Sequence, residues 1–212
     1  MSGTFVTVYT SEPDTMKMKN YNIQRRGVLI MKCIGIIGAM ELEVETLKAK
    51  MEVKQTTKKA GMEFFEGTLN GVDAVIVRSG IGKVNAGICT QILVDLFAVT
   101  HIINTGVAGS LDAKIDIGDI VVSTDVCQHD MDVTVMGYQL GEVPQLGTLS
   151  FPADEKMAAL AKSVCEKVNT EIKVFSGRIV SGDQFICDKA VKDKIVSNFH
   201  ASCTEMEGAA IG

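Results

Sequence analysis

The chain has 212 residues, 46% of them apolar, and carries a formal net charge of −5. This is enough apolar material to exclude a disordered chain, and the length suits one domain. There is no long basic run to meet phosphate, so nucleic acid is excluded as a partner. No apolar run approaches the ~18 residues of a bilayer span, so no membrane partner is expected.

Residues 1–30 are polar, carry Pro13 and lack the apolar core of a signal peptide. They are expected to be disordered or an artefact of start-site choice, with Met31 as the natural start. From Met31 the pattern alternates between strands and helices. Cys33 to Ile37 is a short continuous apolar run, as in a strand buried on both faces. Glu41 to Met51 reads as a helix with Val44, Leu47 and Met51 on one stripe. Met62 to Leu69 and Val72 to Arg78 are strands joined at Asn70-Gly71, a hairpin signal. Lys83 to Phe97 is a helix whose Val84, Ile88, Ile92 and Leu96 recur four apart.

His101 to Asn104 and Asp119 to Ser123 are further buried strands. Asp154 to Val168 is a helix with Met157, Leu160, Ala161, Val164, Cys165 and Val168 on one face. Val174 to Ser181 is a strand, Lys189 to Phe199 a helix, and Glu207 onward the start of another helix. Buried strands alternating with helices predict an α/β fold, a three-layer α/β/α domain with a mixed, largely parallel central sheet. The domain is expected to span residues 31–212 and to be incomplete at its C-terminus, because Gly212 falls inside a helical pattern. Six cysteines occur without a C-x-x-C pair, as expected of reduced thiols in the cytoplasm. No metal-ligand spacing appears among the three histidines.

Ligands of open α/β sheets bind beyond the carboxyl ends of the strands. The stretches there are Gly38 to Glu43, Ser79 to Gly82, Asn104 to Gly109, Ser181 to Ile186 and Glu205 to Gly208. Gly35-Ile36-Ile37-Gly38 lacks the G-x-G-x-x-G fingerprint, and the acids after it would repel a pyrophosphate. Of the three carboxylates opening the first helix, only Glu43 shares the stripe of Leu47 and Met51, so it should point inward; Glu45 should lie near Lys48. A semi-buried carboxylate at a strand end can serve as a base. Glu205-Met206-Glu207 offers a second acidic site, where one carboxylate could accept from two vicinal hydroxyls, or a solvated helix start. Phe185 is placed either to stack on a flat ring or to join the core.

Together these stretches resemble the 5′-methylthioadenosine/S-adenosylhomocysteine nucleosidases of the nucleoside phosphorylase superfamily. The resemblance rests on Ile34-Gly-Ile-Ile-Gly-Ala-Met-Glu-x-Glu-Val44, Ser79-Gly-Ile-Gly-Lys-Val84, Asn104-Thr-Gly-x-Ala-Gly109, Ser181-Gly-Asp-x-Phe-Ile186 and Glu205-Met-Glu207, in this order. It implies hydrolysis of an N-glycosidic bond, with adenine released and no cofactor. It implies that Glu43 is the general base activating water and that Glu207 holds the ribose hydroxyls. Met206 would pack on the sugar, Phe185 would stack on adenine, and Ile186 would read the base edge through its backbone. Gly109 would lie in the loop lining the ribose and water pocket. A homodimer is implied, with Val133, Met136 and Pro144 closing the alkylthio pocket of the partner. The family's general acid is an aspartate in an Arg-x-x-Ser-Asp segment after Glu-Met-Glu, and it is absent from these 212 residues. A purine or uridine phosphorylase and a nucleoside-binding protein without catalysis remain as alternatives.

Overall fold

A computed structural model describes residues 2–10 and 33–212. Ile34–Gly38 (β2) and Val72–Arg78 (β5) run parallel at its centre, and their side chains alternate between two cores. Ile36, Ala74 and Ile76 face Val44 of Glu41–Lys50 (α1), while Ile37, Val75 and Val77 face Ala86, Cys89 and Leu93 of Lys83–Phe97 (α2). Both sheet faces are therefore dry, which is why these strands read as unbroken apolar runs. The hairpin at Asn70-Gly71 forms as expected, both residues at positive φ, and joins Met62–Leu69 (β4) to β5.

Among the described residues Glu52–Lys59 (β3) pairs with β4 alone, and it is exposed along almost all its length. Its polar sequence gave no strand signal, because an edge strand wetted on both faces needs no apolar alternation. The remaining strands are His101–Ser110 (β6), Ile120–Gln128 (β7), the short Phe151–Pro152 (β8), Val174–Ser181 (β9) and Cys203–Glu205 (β10). The other helices are Glu155–Val168 (α3), capped by the Asp154 side chain, Lys189–Phe199 (α4), capped by Asp188, and the single turn Gly208–Ile211 (α5).

One expectation fails at the N-terminus. Residues 2–10 are not disordered: Ser2–Thr10 (β1) pairs antiparallel with β6 over its whole length and parallel with β7 at residues 4–6. Phe5, Val8 and Tyr9 are buried in this strand, so its short Thr/Val/Tyr run was a strand signal overlooked beside the polar residues that follow. Residues 11–30 and Met31 lie outside the described residues.

Among the described residues the strand order is β1-β7-β9-β10-β6-β2-β5-β4-β3, with β8 beside β7. The α/β/α layering and the mixed sheet are as expected. The parallel part is narrower than expected: it comprises β1-β7-β9-β10 and β6-β2-β5, whereas β3, β4 and β8 run antiparallel to their neighbours.

Two helix faces differ from expectation. In α2 the buried residues are Ala86, Cys89 and Leu93, and the line Val84, Ile88 and Leu96 faces outward, with Val84 71% exposed. Leu93 approaches so closely that a Cβ on Gly35 would lie 3.1 Å from its Cδ1, so the small residues of the helix face the sheet. In α3 no residue is fully buried, and Leu160, Val164 and Val168 are exposed.

Candidate active site

At the carboxyl ends of β2, β6, β9 and β10 lies a cavity of about 760 Å³. Each of the five stretches singled out in the sequence contributes to its walls, through Met40, Glu43, Ile81, Gly109, Phe185, Ile186, Met206 and Glu207, and Ile117, Cys187, Lys192 and Thr204 complete them.

Glu43 sits in the first turn of α1, and both its oxygens are held. Oε2 accepts from the Met40 amide at 2.8 Å, and Oε1 accepts from the Val107 amide at 3.0 Å. The second bond ties the helix start to the end of β6. It requires a glycine at 106, where a Cβ would stand 2.4 Å from Glu43 Oε1. The bond to Met40 is local capping, but the bond to Val107 turns the carboxylate into the cavity, as the inward stripe predicted. Lys48 pairs with Glu41 at 2.8 Å. Arg78 approaches Glu41 and does not line the cavity.

Glu207 is buried at the start of α5 and accepts from the Gly82 amide at 2.7 Å. Gly82 has φ of +99°, a conformation that favours glycine and aims its N–H at the acid. Burial raises the Glu207 carboxyl above its ordinary range, the Gly82 N–H opposes that, and the negative charge of Glu43 adds to it. The two acids thus share one cavity and feel each other's charge.

Glu205 is the residue that sequence reasoning missed. It is fully buried, and its Oε2 accepts from the amides of Glu207 at 2.9 Å and Gly208 at 2.7 Å. Its Oε1 meets the hydroxyl of Ser181, whose oxygen also accepts from Ala209 N at 2.7 Å. Burial lifts the Glu205 carboxyl to about 7, even against these hydrogen bonds. Glu205 therefore fixes the turn on which Met206 and Glu207 ride. A second acid two residues from Glu207 was its only trace in the sequence.

The segment after Ser181 is anchored separately. Asp183 Oδ1 accepts from Lys83 N at 2.8 Å, and Asp130 accepts from Asp183 N at 2.9 Å and pairs with Lys83 Nζ at 2.6 Å. This holds the start of α2 against the loop bearing Phe185 and Ile186. Asp183 is structural and does not line the cavity. Phe185 lines it with its ring 86% exposed, so it is no core residue and its face is free for a flat partner. Gly109 lines the cavity from inside β6, not from a loop. Val133, Met136 and Pro144 lie in the 131–149 connection, do not line this cavity, and Met136 is 69% exposed. Among the described residues no group of side chains could hold a metal ion.

A mixed α/β/α sheet carrying two carboxylates around an apolar cavity, with an exposed aromatic ring at its wall, defines an enzyme frame for a small polar ring ligand. The model of the phosphorylase superfamily matches residues 33–212. A 5′-methylthioadenosine/S-adenosylhomocysteine nucleosidase of Colwellia psychrerythraea is 45% identical over 181 residues, 84% of this chain and 74% of that protein. A crystal structure of such a nucleosidase from Colwellia psychrerythraea 34H, in complex with adenine, superposes with a TM-score of 0.81 at 44% identity, covering 85% of this chain and 75% of that one. The Neisseria meningitidis nucleosidase in complex with methylthio-immucillin-A gives 0.81 at 38% identity over 85% of this chain and 78% of that one. The chain belongs to the 5′-methylthioadenosine/S-adenosylhomocysteine nucleosidase family of the phosphorylase superfamily.

Proposed function

We propose that the chain hydrolyses the N-glycosidic bond of 5′-methylthioadenosine and S-adenosylhomocysteine, releasing adenine and the thioribose product. The observation that carries this reading is the pair Glu43 and Glu207 in one cavity, each oriented by a backbone amide from another element. Glu43 takes a proton from the attacking water. Glu207 accepts from the ribose hydroxyls. Breaking the bond develops positive charge on the ribosyl ring, much as in glycoside hydrolysis, and acids beside it stabilise that charge. Met206 packs on the sugar, Phe185 stacks on adenine, the Ile186 backbone reads the base edge, and Gly109 leaves room for ribose and water. The relatives crystallised with adenine and with a methylthio inhibitor support this assignment. Chromatographic detection of adenine from 5′-methylthioadenosine tests it: Glu43→Gln should lower kcat by ~10²-fold or more, and an unchanged rate would refute the role of Glu43.

A second reading is favoured by one observation. Among the described residues no aspartate lines the cavity, and adenine leaves poorly without a proton donor. A protein that binds nucleosides without turnover would show calorimetric binding of 5′-methylthioadenosine and no adenine release.

We further propose a homodimer in which Val133, Met136 and Pro144 cover the partner's alkylthio pocket. The exposed apolar side chains Leu42, Val84, Ile88, Val135 and Met136 support it, since large apolar side chains left in water ask for a cover. All six cysteines are free thiols, which suits a cytoplasmic enzyme. No helix among the described residues is long and apolar enough to cross a membrane.

A further inference from the structure

We infer that Lys83 is a positioning residue: its ammonium closes a clasp with Asp130 and Asp183 that sets the distance between the acid facing the ribose and the wall that stacks on the base. This rests on the roles proposed for Glu207, Phe185 and Ile186. Lys83 belongs to the Ser79-to-Val84 motif but does not itself line the cavity. It acts through its neighbours. The residue before it, Gly82, gives Glu207 its amide at 2.7 Å. The Lys83 amide donates to Asp183 Oδ1 at 2.8 Å. Two consecutive amides at the start of α2 thus meet carboxylates from two other segments, and each of those segments leads to one wall. A Cβ on Gly82 would stand 3.1 Å from Asp183 Oδ1, so turn and loop are already in contact.

The clasp is a closed circuit. The Lys83 amide reaches Asp183, the Asp183 amide donates to Asp130 Oδ2 at 2.9 Å, and Lys83 Nζ returns to Asp130 Oδ1 at 2.6 Å. Gln128 Oε1 accepts from the same ammonium at 3.0 Å. Asp130 lies 47 residues from Lys83 and 53 from Asp183, so only the fold brings the three together. The Lys83 and Asp130 side chains are 18% and 16% exposed, so water and salt screen this pair less than a surface pair. Burial pushes the Asp130 carboxyl up, but the Lys83 ammonium and the Asp183 N–H outweigh it and hold it below its ordinary value. Asp130 therefore stays ionised at neutral pH. Behind the clasp His129 N donates to the Ser181 carbonyl at 2.9 Å, and a Cβ on Gly182 would lie 3.0 Å from Asp130 Cγ. The start of the loop is thus packed on the same strand end. Phe185 and Ile186 follow at once, so the clasp places them. Removing the ammonium leaves a part-buried carboxylate without its partner and loosens the loop from α2.

The test uses the full chain and two ligands. Adenine needs the base wall alone. The C-nucleoside counterpart of 5′-methylthioadenosine, in which a carbon–carbon bond replaces the glycosidic bond and resists hydrolysis, spans both walls. A spanning ligand gains over its parts only while the walls keep the right distance. Lys83→Met keeps the apolar stem and removes the charge. Calorimetry should show it weakening the C-nucleoside about tenfold and adenine by less than about twofold. Asp130→Asn should do the same, and it decides by the same comparison if Lys83→Met does not fold. The double variant should lose no more than either single change, because both break one pair. Hydrogen exchange at the Asp183 amide should quicken about tenfold in each variant. General destabilisation would weaken both ligands alike. That result, additive losses, or unchanged exchange at Asp183 would overturn the positioning role. A wild type that binds the C-nucleoside no better than adenine would count against the ribose role of Glu207; exchange at Asp183 then decides the clasp.

Discussion

Glu43 and Glu207 are each aimed by an amide from a distant segment, Val107 for the first and Gly82 for the second. Their chemistry is thus sensitive to backbone changes that remove no acid. Gly106→Ala would place a methyl group 2.4 Å from Glu43 Oε1, so the carboxylate must turn away. Displacements of this size cost about 10²-fold in rate, and kcat for adenine release should fall by that order while far-ultraviolet circular dichroism is unchanged. Glu207→Ala removes a charge that faces the developing cation and should raise the barrier by ~3 kcal/mol, visible in kcat/KM. Glu43 was singled out by the inward stripe of α1 and Glu207 by the resemblance that its motif carries. Glu205, a member of the same motif, had no assigned role, because that role is fixed by burial and by amides that only the folded turn brings to it.

At the scale of elements, Glu205 links the start of α5 to pH. Its carboxyl has an ordinary value of 4.5 and rises to about 7 in the folded chain through burial. Below pH 4.5 the group is protonated in both states and carries no penalty. Between 4.5 and about 7 the native state holds a proton that the unfolded chain releases, so stability falls as pH rises through that window and levels off above it. The change amounts to roughly 3 kcal/mol. Glu205→Gln should flatten it, so the wild type should lose more thermal stability than the variant between pH 5 and pH 8; parallel melting curves would contradict this. Helices α2 and α3 show the reverse of legibility. In α2 apolar residues lie on more than one side, and spacing alone does not say which line meets the sheet; α3 has one apolar face, and spacing does not say that it stays partly exposed. The close approach of Leu93 to Gly35 decided it in α2.

At the scale of the molecule, alternating buried strands and helices made the α/β/α layering readable, since a sheet covered on both faces leaves long apolar runs. The edge strand β3 and the strand β1 were not readable. One is wet on both faces, and the other gains its partners only from β6 and β7, about a hundred residues away. The outward apolar line of α2 and the exposed 131–149 connection support an assembly. Met136→Glu should shift the mass measured by light scattering from dimer to monomer and weaken 5′-methylthioadenosine binding; a wild type already monomeric would remove the dimer. In the proposed reaction, water directed by Glu43 displaces adenine. The most direct measurement is turnover of 5′-methylthioadenosine in ¹⁸O-labelled water without phosphate. Adenine should appear together with one labelled oxygen at the anomeric carbon of the thioribose product. Release that waits for added phosphate, or bound nucleoside that is never cleaved, would contradict it.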